Sequence, residues 1–576
     1  MKILGLNINH GDSSASIIIN GKVTSFIEEE RINRIKHWAG IPLLSIKWCL
    51  KNSKIKFNDI DIICINNDPK SNFINKIFFV ISNPSYFSHS FKLLVTKNKR
   101  EKNLYEIIKK EFNTQELPKI IHTNHHKCHI SQAFYSSKFK EAIGLSIDGM
   151  GDFNSCVISK ISGNKYSILK KCYFPNSLGI FYSAFTQYLG FNNYGDEYKV
   201  MGLSAYGKNY IDEIENFIFY DKNFFFRLNL RFFNIKNFPL KKTEGRPHYD
   251  NLFSKEAINF LDKFKTNYKN NFDQDLAHTV QKIYEKYFQD ILFYINNLGK
   301  DNLVFSGGCA QNSLANRLIK NFQNIKNVYI PPVATDAGTG LGAAMGYYFE
   351  NTNLDHRVIN NSSPYLGTDI DYNELDNLIT KLKKNNNLKI YKFDNDKELF
   401  EFTAKLIYEN NIVGWFYNKS ENGPRALGNR SILANPGNPN IKDLINKKIK
   451  RRESFRPFAP SVLEDKVDLF FEKNHPSPYM NIVYSALDIT KNQAPSIVHV
   501  DGTSRVQTVN ININSAFYNL IDNFYKLSGL PMLLNTSFNE NEPIVNSVSQ
   551  AYDCFDRTDM DALILSNYVI QKNIFN

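Results

Sequence analysis

No two of the seven cysteines stand in C-x-x-C spacing: Cys49, Cys64, Cys128, Cys156, Cys172, Cys309 and Cys554 are odd in number and widely scattered. That pattern argues against a disulfide framework or a thiolate zinc site and predicts reduced thiols. No apolar run reaches transmembrane length, so no membrane partner is expected. The opening stretch from Met1 to Asn9 is too short and too alternating for the apolar core of a signal peptide, and Asp12 soon interrupts it, which predicts a cytoplasmic location. The absence of a G-x-x-x-x-G-K-S/T run excludes a P-loop as the nucleotide site. Acidic residues are outnumbered, 57 against 70 basic ones, for a net charge of +13 and a pI near 9.0. The excess is mostly lysine in a chain also crowded with Asn and Ile, which compositional drift explains as readily as function. Nucleic acid is therefore not an expected partner.

What is present points to an enzyme. At 576 residues, 42% apolar and 22% charged, the chain exceeds what one hydrophobic core organises, and two or more domains are expected. The organising stretch runs from His122 to Asp152. His125 and His129 stand four apart, so on a helix they share a face and can hold one divalent ion; Asp148 can add an oxygen ligand. Gly149 and Gly151 follow a predicted strand, where missing side chains let a phosphate approach backbone N–H groups. The earlier segment from Ile3 to Glu28 repeats this strand, polar turn and hairpin, with a predicted turn at Asn20 and Gly21. Two such units facing each other form the nucleotide cleft of the actin and sugar-kinase superfamily, which they resemble. A basic run at Lys97, Lys99, Arg100 and Lys102 reads as a solvated helical face. Around Lys199, the stretch from Tyr194 to Gly207 reads as a binding loop opening a short helix.

Further on, Gly307 and Gly308 close a strand at a turn where a purine or ribose can lie, with Asn312 available to a hydroxyl. Gly338, Gly340 and Gly342 imitate a dinucleotide fingerprint, but no acidic residue is placed for a ribose; Asp336 reads instead as a fourth metal ligand. An Asn-rich stretch near 351–364 marks a domain boundary. Beyond it, Arg425, Arg430 and Arg456 are embedded among Gly, Pro, Leu and Phe, which suits forked guanidinium groups gripping phosphate in a formed pocket. Met480, Arg505, Asn535 and Ser537 fall in further segments rich in hydroxyls and amides that can surround a nucleotide phosphate and a small carbonyl compound.

Over nearly its whole length the chain resembles the O-carbamoyltransferases that modify antibiotics and nodulation factors, the NodU and CmcH family. The resemblance rests on an ordered series: His10, Gly11 and Asp12 before Ser-Ser-Ala; Glu28 to Arg31 with Lys36 and His37; His125, His129, Asp148 and Asp152; Glu197 to Leu203; Asn312; Asp336; the run around Arg425; the run around Arg456; and Leu534 to Asn539. It implies an α/β protein with an N-terminal actin-like domain (the duplicated RNase H-like type) over 1–355 and a C-terminal YrdC-like domain over 365–576. It implies carbamoyl-adenylate formation from ATP and carbamoyl phosphate in the second domain, with Arg425, Lys450, Arg456, Arg505 and Ser537 as contacts. In the first domain the carbamoyl group would pass to a hydroxyl of a small-molecule or sugar acceptor. His125, His129, Asp148 and Asp336 match the family's metal positions, with iron favoured and magnesium, manganese or zinc as alternatives. His10 is the expected general base and Lys36 the stabiliser of the leaving phosphate; Asp12 lies in the same loop, which runs His-Gly-Asp where some relatives have His-Asp. Two readings remain beside this one, a threonylcarbamoyl transferase acting on tRNA and a non-catalytic ATP-binding regulator. Hydrogenase-maturation carbamoyl-transfer proteins carry paired C-x-x-C motifs that this chain lacks. Oligomeric state is left open, a homodimer included.

Overall fold

The computed structural model describes residues 1–8, 10–83, 104–268 and 270–573; the basic run at Lys97 to Lys102 lies outside them. The chain divides into two compact units, one of Met1–Gln311 with Asn321–Ser362, the other of Asn312–Lys320 with Ser363–Asn576.

The first unit contains two five-stranded sheets. Runs of Ile, Leu and Ala, buried on both faces, build β1 (Lys2–Asn7) and β2 (Ser14–Ile19), followed by β3 (Lys22–Glu28). Asn20 (φ 50°) and Gly21 (φ 85°) are both left-handed, the turn that matches the twist of a two-residue hairpin, as the sequence predicts. With β4 (Ile62–Ile65) and β5 (Lys119–His122) the spatial order is β3-β2-β1-β4-β5. The hairpin strands are antiparallel, whereas β1, β4 and β5 run parallel. The second sheet repeats the plan with β6 (Glu141–Gly151), β7 (Asn154–Ser162), β8 (Lys165–Tyr173), β9 (Asn302–Ser306) and β10 (Asn327–Tyr329), ordered β10-β9-β6-β7-β8. Again a three-stranded antiparallel meander is extended by two parallel strands from its first member. This duplicated 3-2-1-4-5 order is the RNase H-like plan of actin-like proteins.

Helix α1 (His125–Ser136) packs against α2 (Thr339–Glu350). The glycines that imitate a nucleotide fingerprint serve this packing. A Cβ on Gly342 would lie 1.9 Å from the Cys128 carbonyl oxygen, and one on Gly340 would lie 2.5 Å from the Asn7 nitrogen. α2 is thereby drawn onto β1 and against α1, which brings the first turn of α1 beside the start of α2.

The second unit is built on one mixed sheet of nine strands: β11 (Leu388–Lys392), β12 (Val413–Phe416), β13 (Arg430–Ala434), β14 (Ala459–Leu463), β15 (Ile482–Ser485), β16 (Thr503–Val509), β17 (Met532–Ser537), β18 (Ala562–Leu565) and β19 (Tyr568–Lys572). Their order is β11-β19-β18-β12-β13-β17-β14-β16-β15. At its centre Trp415 is fully buried, donates Nε1–H to the Gly428 carbonyl (2.8 Å) and stacks on Tyr417.

Arg430 belongs to this core. Its guanidinium lies 3.6 Å over the Phe416 ring and donates to the carbonyls of Tyr417 (3.1 Å), Asn418 (2.8 Å), Asn429 (2.9 Å) and Thr368 (3.1 Å). The expectation that Arg430 grips phosphate is corrected here, because the residue is fully buried and both of its terminal nitrogens donate to backbone carbonyls. Truncation to alanine removes the stacking and strands those carbonyls in the interior. Arg430→Ala is expected to cost about 3–5 kcal/mol and to lower the melting temperature by roughly 10 °C, read by differential scanning calorimetry.

Candidate functional site

In the first unit four side chains converge from three elements. His125 and His129 lie on one face of α1, whose N-terminus is capped by Asn124 accepting from the Lys127 N–H (3.2 Å). Asp148 lies where the pairing of β6 with β7 is interrupted between Ile147 and Gly151. Asp336 opens the turn before α2, and that turn is pinned by Ser14 Oγ donating to the Ala337 carbonyl (2.6 Å). The Asp148 Oδ2 lies 3.2 Å from His125 Nε2 and 3.1 Å from His129 Nε2; Asp336 Oδ1 lies 3.4 Å from each, and the two Nε2 atoms are 3.1 Å apart. One ligand-type atom from each of the four lies within 4.8 Å of the others.

This donor set fits a divalent ion. Two imidazole nitrogens point at each other and at two carboxylates, and all four atoms are satisfied at once by one cation between them. The electrostatics have the same sense. Burial opposes charge on His125, but Asp336 and the hydrogen bond His125 donates to Asp148 outweigh it and hold its pKa well above the usual histidine value; His125 and His129 hold Asp148 low against its own burial. Ser306 Oγ contacts His129 Nδ1 at 3.2 Å and so orients the ring. His126, between them in sequence, is a core histidine: its nitrogens meet Ser146 Oγ (2.8 Å) and the Asn154 carbonyl (3.0 Å), and burial pushes its pKa down to about 3.

The glycines around the group have physical reasons that differ from phosphate approach alone. A Cβ on Gly151 would fall 2.0 Å from His125 Cδ2, and one on Gly308 2.9 Å from the Asp148 carboxylate; the Gly149 N–H donates to Asp148 Oδ1 (2.7 Å). Gly307 (φ 104°) is left-handed, and a Cβ there would fall 2.2 Å from the Ile147 carbonyl oxygen. Gly151→Ala is expected to push the His125 ring aside and weaken metal affinity about 10–100-fold, the scale of losing a ligand's support, read as metal retained per chain after dialysis.

His10 stands beside this group, its ring 5.1 Å from that of His125 and its Nδ1 3.7 Å from Asp336 Oδ2. Burial and the His125 charge lower its pKa. Asp12, in the same loop, is instead paired with His37 (Nδ1 to Oδ1, 2.6 Å), next to the exposed Lys36. Asp12, Glu30 and His37 also bring three ligand-type atoms within 4.8 Å. The hydrogen bond to Asp12 and the His37 N–H donated to Glu30 Oε2 (2.7 Å) already account for their closeness. Lys199 is drawn into an ion pair with Asp196 (3.0 Å). Asn312 falls in the second unit, where its side-chain oxygen caps the turn Ser313–Asn316 by accepting from the Ala315 N–H (3.0 Å).

In the second unit burial and the like charges of Arg425, Arg452 and Arg456 all lower the pKa of Arg505, so four guanidinium groups share one neighbourhood. Arg505 Nε is buried with no hydrogen-bond partner among the described residues, and Arg456 also meets Glu453 (3.3 Å). An assembly of like charges that cannot deprotonate calls for an anion. Lys450 Nζ donates to the carbonyls of Ser537 (2.5 Å) and Asn539 (2.7 Å), and burial with the Arg452 charge holds it well below the usual lysine range. Asn535 donates to Ser461 Oγ (2.9 Å) while its Oδ1 is buried without a partner among the described residues, and Met480 is held in a left-handed conformation (φ 58°). Sequence reasoning missed Arg452 because it sits inside a run of basic residues that reads as solvated.

Topology and side chains thus define an actin-like α/β protein with a convergent histidine–aspartate group, joined in one chain to an arginine-rich α/β unit. Residues 2–345 match the family described as Carbamoyltransferase N-terminus and residues 404–572 that described as Carbamoyltransferase C-terminus. The nodulation protein NolNO of Sinorhizobium fredii is 34% identical over 97% of this chain and 79% of its own length. Uncharacterized proteins of Synechocystis sp. (34% identical, 99% of this chain, 96% of the relative) and Methanocaldococcus jannaschii (32%, 99% and 99%) are similar end to end. A solved activator of 2-hydroxyisocaproyl-CoA dehydratase from Clostridium difficile with bound ADPNP aligns at TM-score 0.34 and 14% identity, covering 61% of this chain and 95% of that one, too slight a likeness to add to the topology. The chain belongs to the carbamoyltransferase family. It is a carbamoyl-transferring enzyme.

Proposed function

We propose that the protein is an ATP-dependent O-carbamoyltransferase that works in two steps. In the first, water hydrolyses carbamoyl phosphate to carbamate and inorganic phosphate, and a carbamate oxygen attacks the α-phosphorus of ATP and expels pyrophosphate, giving carbamoyl-adenylate. In the second, an acceptor hydroxyl attacks the carbamoyl carbon, the bond to the phosphate oxygen breaks, and AMP leaves. The observation that carries the reading is the set of four guanidinium groups formed by Arg505 with Arg425, Arg452 and Arg456, which suits a polyanionic substrate pair. Electrostatic donors are the main requirement of a reaction that passes through an oxyanion and expels phosphate.

The group His125, His129, Asp148 and Asp336 would hold a divalent ion in the first unit, iron being the favoured choice, and that ion would neutralise nucleotide phosphate charge there. The acceptor is a small molecule or sugar bearing a hydroxyl. The test is to incubate the protein with ATP and carbamoyl phosphate without acceptor and to look for pyrophosphate and carbamoyl-adenylate by mass spectrometry. Both products are expected. Bound ATP with no pyrophosphate would favour the regulator reading, and strong, salt-sensitive tRNA binding would favour the threonylcarbamoyl one.

A further inference from the structure

Resting on the transfer step proposed above, we infer that His37, held by Asp12, is the general base that takes the acceptor's proton, in place of His10. A catalytic imidazole needs an orienting partner on one nitrogen and an open lone pair on the other. His37 has both. Its Nδ1 lies 2.6 Å from Asp12 Oδ1, which fixes the Nδ1–H tautomer and leaves Nε2 as the acceptor. On that side the chain passes as Gly195, left-handed at φ 84°, where a Cβ would fall 2.9 Å from Nε2; a side chain there would block the nitrogen. The His37 ring is 28% exposed.

The dyad is built in advance of any substrate. Asn7 Nδ2 donates to the carbonyls of Gly11 (3.0 Å) and Asp12 (2.9 Å), while the Ser13 N–H donates to the Trp38 carbonyl (2.7 Å) and Ser13 Oγ to that of Gly40 (2.8 Å). These bonds clamp the Asp12 loop to the His37 loop, and both Asp12 (φ 57°) and His37 (φ 56°) are held left-handed. Tyr194 connects the dyad to the histidine–aspartate group: its ring meets His37 edge-on at 5.5 Å, and the charges of Asp336, Asp12 and Asp148 all act on its hydroxyl. Among the described residues His10 has no comparable partner: the carboxylate oxygen it faces, Asp336 Oδ2, is 3.7 Å away.

In the step itself the acceptor oxygen bonds to the carbamoyl carbon as its proton passes to His37 Nε2, AMP departs with the electrons of the cleaved C–O bond, and the imidazolium, stabilised by Asp12, later loses the proton to solvent. The charged and titratable groups around the ring are Asp12, Glu30, Lys36, Tyr194 and Glu197. Burial disfavours the charged ring, but Asp12 outweighs it and its pKa is raised above the ordinary 6.5. A base must be neutral, so transfer should fall as pH drops through that raised value.

Two measurements test this. Nitrogen-15 histidine NMR on the full chain should show His37 as the Nδ1–H tautomer, titrating above 6.5, with Asp12→Asn moving the titration downward; an Nε2–H tautomer overturns the inference. AMP release from supplied carbamoyl-adenylate, with water as the acceptor probe, should fall about 10²–10⁴-fold in His37→Gln and lose its acidic limb. His10→Asn should lower the rate and keep the limb. The inference is overturned if His37→Gln keeps the limb or His10→Asn removes it. Pyrophosphate release by the wild-type protein separates this failure from that of the two-step reading, which alone requires it.

Discussion

Arg505→Ala is expected to slow carbamoyl-adenylate formation about 10²–10³-fold, the effect of removing one preorganised donor to developing charge, without destabilising the protein. The two halves of that result have one cause. Arg505 lies on β16 opposite Val483, half-buried beside Arg425, Arg452 and Arg456, and its Nε meets no hydrogen-bond partner among the described residues. In the free protein it therefore stands among like charges, and its removal relieves repulsion, so the melting temperature should hold or rise. With ATP and carbamoyl phosphate bound, the same guanidinium supplies paired donors that a lysine cannot reproduce, so Arg505→Lys should recover little of the rate. Arg430→Ala gives the opposite pattern, a loss of stability, because its donors serve carbonyls of its own fold. Pyrophosphate release and scanning calorimetry on both variants separate the roles. An Arg505→Ala protein that melts early and loses activity only in proportion to its unfolded fraction would make Arg505 structural.

That contrast shows which parts of the site can be read from a sequence. The histidine–aspartate group was legible because helical periodicity puts residues four apart on one face, and because an aspartate between a strand and glycines has few other uses. The duplicated sheets were legible from two strand–turn–hairpin units, one closed by Asn20 and Gly21. Arg425 and Arg430 looked equivalent, since both sit among glycine, leucine and asparagine. What separates them is the direction of the guanidinium, and that is decided by tertiary partners such as Phe416 and the Thr368 carbonyl. Asn312 carries the signature of a ribose contact and equally of a helix cap, and the nearby Ala315 N–H takes it. Gly151 was read as room for phosphate, whereas the group pressing on it is a ring contributed by α1. His37 was passed over because its partner, Asp12, is 25 residues away and no periodicity links them.

Asp148→Asn should abolish stoichiometric metal binding and, with it, carbamoyl transfer, while leaving adenylate formation intact. Asp148 Oδ2 is the oxygen shared by both histidine Nε2 atoms, at 3.2 and 3.1 Å. An amide there presents either a neutral oxygen or an N–H₂ that repels the cation, so affinity should drop by more than the roughly 10–100-fold typical of losing a ligand's supporting group. Metal that binds only the folded state also stabilises it. A concentration one hundred times the dissociation constant contributes about 2.7 kcal/mol. Added Fe(II) or Zn(II) should therefore raise the melting temperature of the wild-type protein and leave that of Asp148→Asn where it is, a readout that needs no acceptor. Ser306→Ala, which removes only the contact to His129 Nδ1, should give an intermediate shift. If Asp148→Asn bound metal as the wild type does, the four-residue group would lose its role as the cation site, and the charge on Asp148 would need another use.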